Sequence, residues 1–177
     1  MAFHLYQSKK VKRYIGDSVY NDLPWDETQI DPLTIWFVDV FFVNRQKYLV
    51  IANPLTKLTF LVFRYTRKTH PDLMGCFRER LAIVLNAARI DPTLYLEQCD
   101  WLVPFEKSNR SASAHLSQTK SYFELIIKEN CHGMHGKPDD EQFYNTLLAD
   151  NLVQFKGNNY DRPSQRFYHE LLLRRWV

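Results

Sequence analysis

The stretch LTIWFVDVFFVNRQKYLVIANPLTKLTFLVFRYT, residues 33–66, decides the fold. It holds three runs of β-branched and aromatic residues, separated by two short polar turns, NRQK at 44–47 and NPLT at 53–56. Branched and ring side chains pack well on a pleated surface, so such runs favour strands. The pattern predicts strands over 33–43, 48–52 and 57–65. Turns this short permit only antiparallel pairing, because a parallel return needs a long crossover. In the third run Leu58, Phe60, Val62 and Arg64 alternate with Thr59, Leu61, Phe63 and Tyr65. The two sets therefore face opposite sides of the sheet.

Working outward, residues 3–6 read as a first strand and 8–15 as a short basic helix, with Ser8 as its cap and Gly16 at its end. Residues 17–32 carry five acids and two prolines and read as a surface loop. A helix is predicted over 71–90, where Leu73, Phe77, Leu81, Val84 and Ala88 form one apolar face. Residues 93–98 suggest a further short helix, and 101–105 a fifth strand that Pro104 places at a sheet edge. Ala112, Leu116, Thr119, Phe123 and Ile126 form the buried stripe of a helix over 111–129. The glycine-containing segment CHGMHGKP, 131–138, marks a boundary, and amphipathic helices follow over 139–155 and 164–176. The expected architecture is an α+β core domain, 1–130. Its antiparallel β-meander sheet of four to five strands is covered by helices. A C-terminal helical hairpin, 131–177, is appended.

Composition narrows the function classes. The chain of 177 residues is 15% aromatic and carries a net charge of +3, too small by itself to imply nucleic acid. The charge is uneven: residues 44–80 hold eight bases against Asp72 and Glu79, a net +6. Three widely spaced cysteines, Cys76, Cys99 and Cys131, do not form a disulfide framework. No apolar run approaches the roughly 20 residues that span a bilayer. The N-terminus has no signal-peptide pattern. These features lead to an expected cytoplasmic protein with no membrane association.

Trp36, the FFVNR segment at 41–45, Lys47, Asn53 and Thr56 precede an FRERL helix and a later Ser108-Asn109-Arg110-Ser111. This series resembles an uncharacterised bacterial domain family, found alone or at the N-terminus of some plasmid-encoded open-reading-frame proteins. Lys9-Lys10-Val11 fits the start of that family's pattern. Ser8 stands where the family commonly has Thr, and Ala112-Ser113-Ala114 replaces an apolar-Leu-Gly stretch. The resemblance spans residues 3–129. It implies a bacterial or mobile-element context and carries over no catalytic residues.

Several constellations bear on chemistry. Cys131, His132 and His135 have zinc-like spacing, but zinc asks for three or four ligands and no second pair lies nearby in the sequence, so Cys76, Cys99, His115 or His169 would have to fold in. Asp39 is the one acid inside the meander, either paired with a base or a functional outlier. No nucleophile motif, phosphate loop or dinucleotide fingerprint is present. Lys9, Lys10, Arg45, Lys47, Asn109 and Arg110 form the candidate binding set, since they fall in turns and at helix starts where anions bind. The competing reading makes Arg110 a structural clamp, and Asn53 and Asn109 turn formers. Tyr168 and Trp176 are the candidate interface residues of the tail.

The expected function is a non-enzymatic interaction module acting through protein–protein contacts or self-association, such as a mobile-element inhibitor of a host complex. No cofactor is expected. A nucleic-acid-binding accessory protein is the first alternative, and an enzyme or binder of a phosphorylated or carboxylate ligand the second.

Overall fold

The computed structural model describes residues 1–7, 9–15, 29–99, 101–106, 110–130, 140–155 and 159–177. The elements in order are β1 (Ala2–Gln7), α1 (Lys9–Ile15), a 3-10 turn (Pro32–Thr34), β2 (Ile35–Val43), β3 (Gln46–Ala52) and β4 (Thr59–Val62). They continue with α2 (Leu73–Ala87), α3 (Thr93–Glu97), β5 (Trp101–Glu106) and α4 (Arg110–Asn130). The chain ends with α5 (Glu141–Asp150), β6 (Val153–Gln154), β7 (Tyr160–Asp161) and α6 (Pro163–Arg174).

The architecture is α+β, but the main sheet is mixed where a purely antiparallel one was expected. Its order is β4-β3-β2-β1-β5. The meander strands pair antiparallel, as their short turns require. β1 lies between β2 and β5 and is parallel to both. The connection from β1 to β2 contains α1 and is long enough for a crossover, so nothing local forces antiparallel pairing there. Pro104 does sit on an edge strand, β5.

Strand alternation divides the core in two. Phe3, Leu5, Trp36, Val38, Leu49, Ile51, Phe60 and Val62 face α2, α3 and α6. Tyr6, Phe37, Phe41, Tyr48, Val50, Leu61 and Phe63 face α4 and α5. Trp36 is the hub of the first cluster. Its ring meets Phe60, Phe77 and Phe167, and its Nε1 donates to Tyr95 Oη at 3.3 Å. The predicted stripes hold: Phe77, Leu81 and Val84 of α2, and Ala112, Leu116, Thr119 and Phe123 of α4, are buried. Tyr144 and Leu148 of α5 and Phe167 and Leu171 of α6 join these clusters, so the core draws on residues either side of 131–138. The helix expected over 139–155 ends at Asp150, and Val153–Gln154, read as its last turn, instead pairs as β6 with β7.

The hairpin between β2 and β3 has a two-residue loop. Asn44 and Arg45 both take positive φ, 49° and 66°, and Val43 pairs with Gln46. This is the primed turn that matches strand twist. The four-residue turn expected at 44–47 is thus shorter, and Lys47 belongs to β3, opposite Phe42.

Two asparagines complete the sheet. Asn53 is fully buried. Its Nδ2 donates to the carbonyls of Pro32, Leu33 and Ile35 at 3.2, 3.1 and 2.9 Å. Its Oδ1 accepts from Leu55 N, Thr56 N and Thr56 Oγ1 at 3.1, 3.0 and 3.0 Å. Asn145 of α5 bonds both backbone groups of Leu61 on the outer edge of β4, at 2.7 Å and 3.1 Å. One turn earlier Glu141 accepts from Phe63 N at 2.9 Å and pairs with Arg80. Burial raises the Glu141 carboxyl above its usual range, against the Phe63 N–H and Arg80, which lower it. An edge strand that would template aggregation is thereby closed by side chains.

Asn53→Ala is expected to lower unfolding free energy by about 3 kcal/mol or more, because several buried backbone groups lose partners at about 1–3 kcal/mol each. Urea denaturation should show a lower midpoint with an unchanged slope.

Candidate functional site

A cavity lies where the β3–β4 turn meets α4 and the end of α5. It measures about 440 Å³ and is lined by residues that include Thr59, His115, Gln118, Tyr122, Asn151 and Leu152. Each side chain has a local reason for its place. Lys57 adopts positive φ, 58°, and its N–H donates to Asn53 O at 2.9 Å, which closes the turn and starts β4. His115, Gln118, Thr119 and Tyr122 recur at helical spacing along the cavity side of α4. Asn151 follows α5 as its extended C-terminal cap, with φ −65° and ψ 135°, and leads into Leu152 and β6.

The polar geometry is specific. His115 Nε2 lies 2.9 Å from Thr59 Oγ1. The Thr59 hydroxyl spends its one proton on Lys57 O at 2.8 Å, so it accepts from His115 and Nε2 carries the hydrogen. The pair thus resembles a nucleophile and its base but has the proton direction reversed. Burial first, and the Lys57 charge second, push the His115 pKa down to about 4. Lys57 is itself lowered by burial and by Arg166. Its ammonium donates to Gln154 O and shares the Phe155 ring with the Arg166 guanidinium, at 4.9 and 4.2 Å from the centroid. Tyr122 and Leu152 stand at the rim, 42% and 67% exposed, and Asn151 Nδ2 donates to Tyr122 Oη at 3.3 Å.

The basic residues singled out in the sequence do not converge there. Lys9 and Lys10 open α1, and their side chains lie outside the described residues, as does Asn109. Arg45 is exposed at the β2–β3 tip. Lys47 is half-buried, with its Nζ 5.3 Å from the Tyr14 ring centre and 5.7 Å from that of Tyr65. Arg110 is exposed at the start of α4. Phe123, on the same helix, packs against Phe41 and Tyr48 near the hairpin tip. Arg110 lies more than three turns earlier, about 20 Å along the axis. Arg45 and Arg110 therefore do not share one pocket.

The other candidates divide between packing and surface. Asp39 pairs with Lys120 of α4 and accepts from Val40 N at 2.8 Å. Cys76 and Cys99 are buried thiols, and burial pushes the Cys76 pKa up to about 11. Cys131, His132 and His135 lie outside the described residues. Among the described residues no three His, Cys, Asp or Glu side chains group as metal ligands. Tyr168 is 40% exposed. Trp176, read with Tyr168 as an interface residue, is half-buried against the core instead of exposed. Arg175 takes the left-handed conformation, and Trp176 N donates to Leu171 O at 3.0 Å. This Schellman-type end turns the indole back onto Tyr95 and Arg174. No helix among the described residues is long and apolar enough to cross a membrane.

The cavity residues gave little sign in the sequence. His115, Gln118, Asn151 and Leu152 belong to no motif and come together only by packing. The polar flank of the 111–129 stripe was the one available hint.

A family model described as a domain of unknown function, DUF6933, matches residues 4–166. The chain belongs to this family. The match bears out the resemblance to an uncharacterised domain family, though not its bacterial or plasmid context, and extends it from 129 through α5 into α6. Comparison with curated proteins found no match.

Lowering pH tests the His115 environment. Its folded pKa lies below the unfolded value of 6.5, so its contribution is complete above pH 6.5 and is lost as pH falls toward about 4. Relative to His115→Gln, the protein should lose roughly 2 kcal/mol over that window, measured by denaturation at fixed pH steps.

Proposed function

We propose that this domain is a non-enzymatic interaction module, and that the cavity between α4 and the end of α5 takes an extended peptide segment of a protein partner. The observation that carries this reading is the lining itself. Gln118, Asn151 and Gln154 line the cavity together with the exposed Tyr122 and Leu152. Carboxamides both donate and accept, and so match a peptide backbone. An apolar rim with an aromatic ring suits the centre of a protein interface. The reversed His115–Thr59 hydrogen bond and the neutral imidazole favour binding over turnover. A bacterial or mobile-element inhibitor of a host complex fits such a module. On α6, Tyr168 and Leu172 are both exposed one turn apart, a second apolar stretch suited to self-association.

Selection from a random-peptide phage library tests the reading. Peptides should enrich on the native domain and lose binding at least tenfold with Gln118→Ala or Leu152→Ser, both at exposed positions whose substitution leaves the melting temperature near that of the parent. Enrichment of no peptide, or binding indifferent to both substitutions, would count against it.

A second reading, nucleic-acid binding, has its own observation. Tyr65 N donates to Lys47 O at 3.0 Å, and Arg64 Nε donates to Gln46 Oε1 at 3.2 Å. These bonds bring the basic segment after β4 beside the Arg45 tip, next to Phe42, which is 46% exposed. Basic groups flanking an accessible ring suit single strands. Fluorescence anisotropy with a single-stranded oligonucleotide should show binding that weakens steeply with salt and is weakened further by Arg45→Glu with Arg67→Glu. Salt-independent binding, or none at low salt, removes this reading.

A further inference from the structure

A separate cavity of about 270 Å³ lies on the opposite face of the sheet, between the end of β1, the edge strand β5 and the start of α2. Gln7, the last residue of β1, lines it and is 1% exposed. It shares the parity of Phe3 and Leu5, which face α2. Neither its Nε2 nor its Oε1 has a hydrogen-bond partner among the described residues. A buried carboxamide in this condition is destabilising and calls for an explanation.

The facing wall supplies more donors. The first bond of α2 runs from Cys76 N to Asp72 O at 3.1 Å, so the N–H groups of Leu73, Met74 and Gly75 have no intrahelical acceptor. Asp72 makes no side-chain cap bond to them. A Cβ on Gly75 would stand 2.4 Å from Asp72 Oδ2, so glycine lets that carboxylate lie against the first turn. A helix N-terminus ordinarily attracts anions. Here the Asp72 carboxylate is part of the lining and no lysine or arginine is. The carboxylate disfavours an anion and the positive helix end disfavours a cation, so the ligand chemistry is neutral. Ile15, Leu102 and Pro104 make the remaining wall apolar.

We infer that this cavity binds an uncharged small molecule that carries a cis-amide edge, a C=O beside an N–H, as in a lactam or pyrimidinone ring. The Gln7 carboxamide pairs with that edge through two reciprocal hydrogen bonds. A second carbonyl on the ring accepts from the first N–H groups of α2, and the ring body packs against Ile15 and Leu102. The site lies on the other side of the sheet from the α4–α5 cavity, and its test is independent of that reading.

The test uses the full chain and three probes at millimolar concentration: 2-pyridone, uracil, and benzoate as an anionic control. NMR should show 2-pyridone or uracil shifting the Gln7 side-chain NH₂ signals and the Leu73 and Met74 amides, with benzoate leaving them in place. Gln7→Met should abolish the response while melting at or above the parent temperature, since it removes two unpartnered polar atoms. The inference is overturned if neither lactam shifts these signals or if benzoate shifts them equally. It is also overturned if Gln7→Met retains the response, or if that variant melts below the parent, which would make Gln7 a structural residue.

Discussion

The side-chain amide of Asn53 is the constraint on which the rest of the structure depends. From one buried position it holds three carbonyls around the 3-10 turn and the start of β2, and three donors of the β3–β4 turn. Backbone groups at such a corner have no ladder partners of their own, and burial denies them water. With the corner closed, β2 and β4 flank β3 in register, and Lys57 and Thr59 are delivered to the α4–α5 cavity. The same turn thus organises the hydrophobic sheet and one wall of the candidate site.

A second constraint acts at the far edge. β4 would present open backbone groups, and α5 closes them with Asn145 and Glu141 while lending Tyr144 and Leu148 to the core. The family match through residue 166 agrees with this dependence, since it takes in the helix that completes the sheet. At the other end of the tail Arg174 bonds Asp31 Oδ2 and Glu170 Oε2, each at 2.6 Å, and so ties α6 to the 3-10 turn. Polar side chains that look functional in a sequence are here often engaged in the fold. Asp39 is paired with Lys120, Lys47 lies over two aromatic rings, and Arg78 Nη1 donates to Leu96 O and Cys99 O at the end of α3. The two cavities combine carboxamides (Gln118 and Asn151 in one, Gln7 in the other) with apolar walls, and they lie on opposite faces of the sheet.

The sequence by itself determined the local features. Alternation and short turns made β2, β3 and β4 an antiparallel meander, and apolar spacing placed α2 and α4 with their buried faces. Asn53 could be read as a turn former because its chemistry acts within a few residues. Tertiary structure alone decided what depends on distant partners. The long β1–β2 connection carries no directional signal, so the parallel, central placement of β1 had to come from packing. Trp176 reads as an exposed helix end until the left-handed Arg175 turns it inward. The cavity that joins Thr59, His115 and Asn151 draws on three elements far apart in the chain, and the unpartnered amide of Gln7 is visible only once α2 and β5 enclose it. Periodicity and turn chemistry are short-range and are written in neighbouring residues. The convergence of a site is long-range, and folding assembles it.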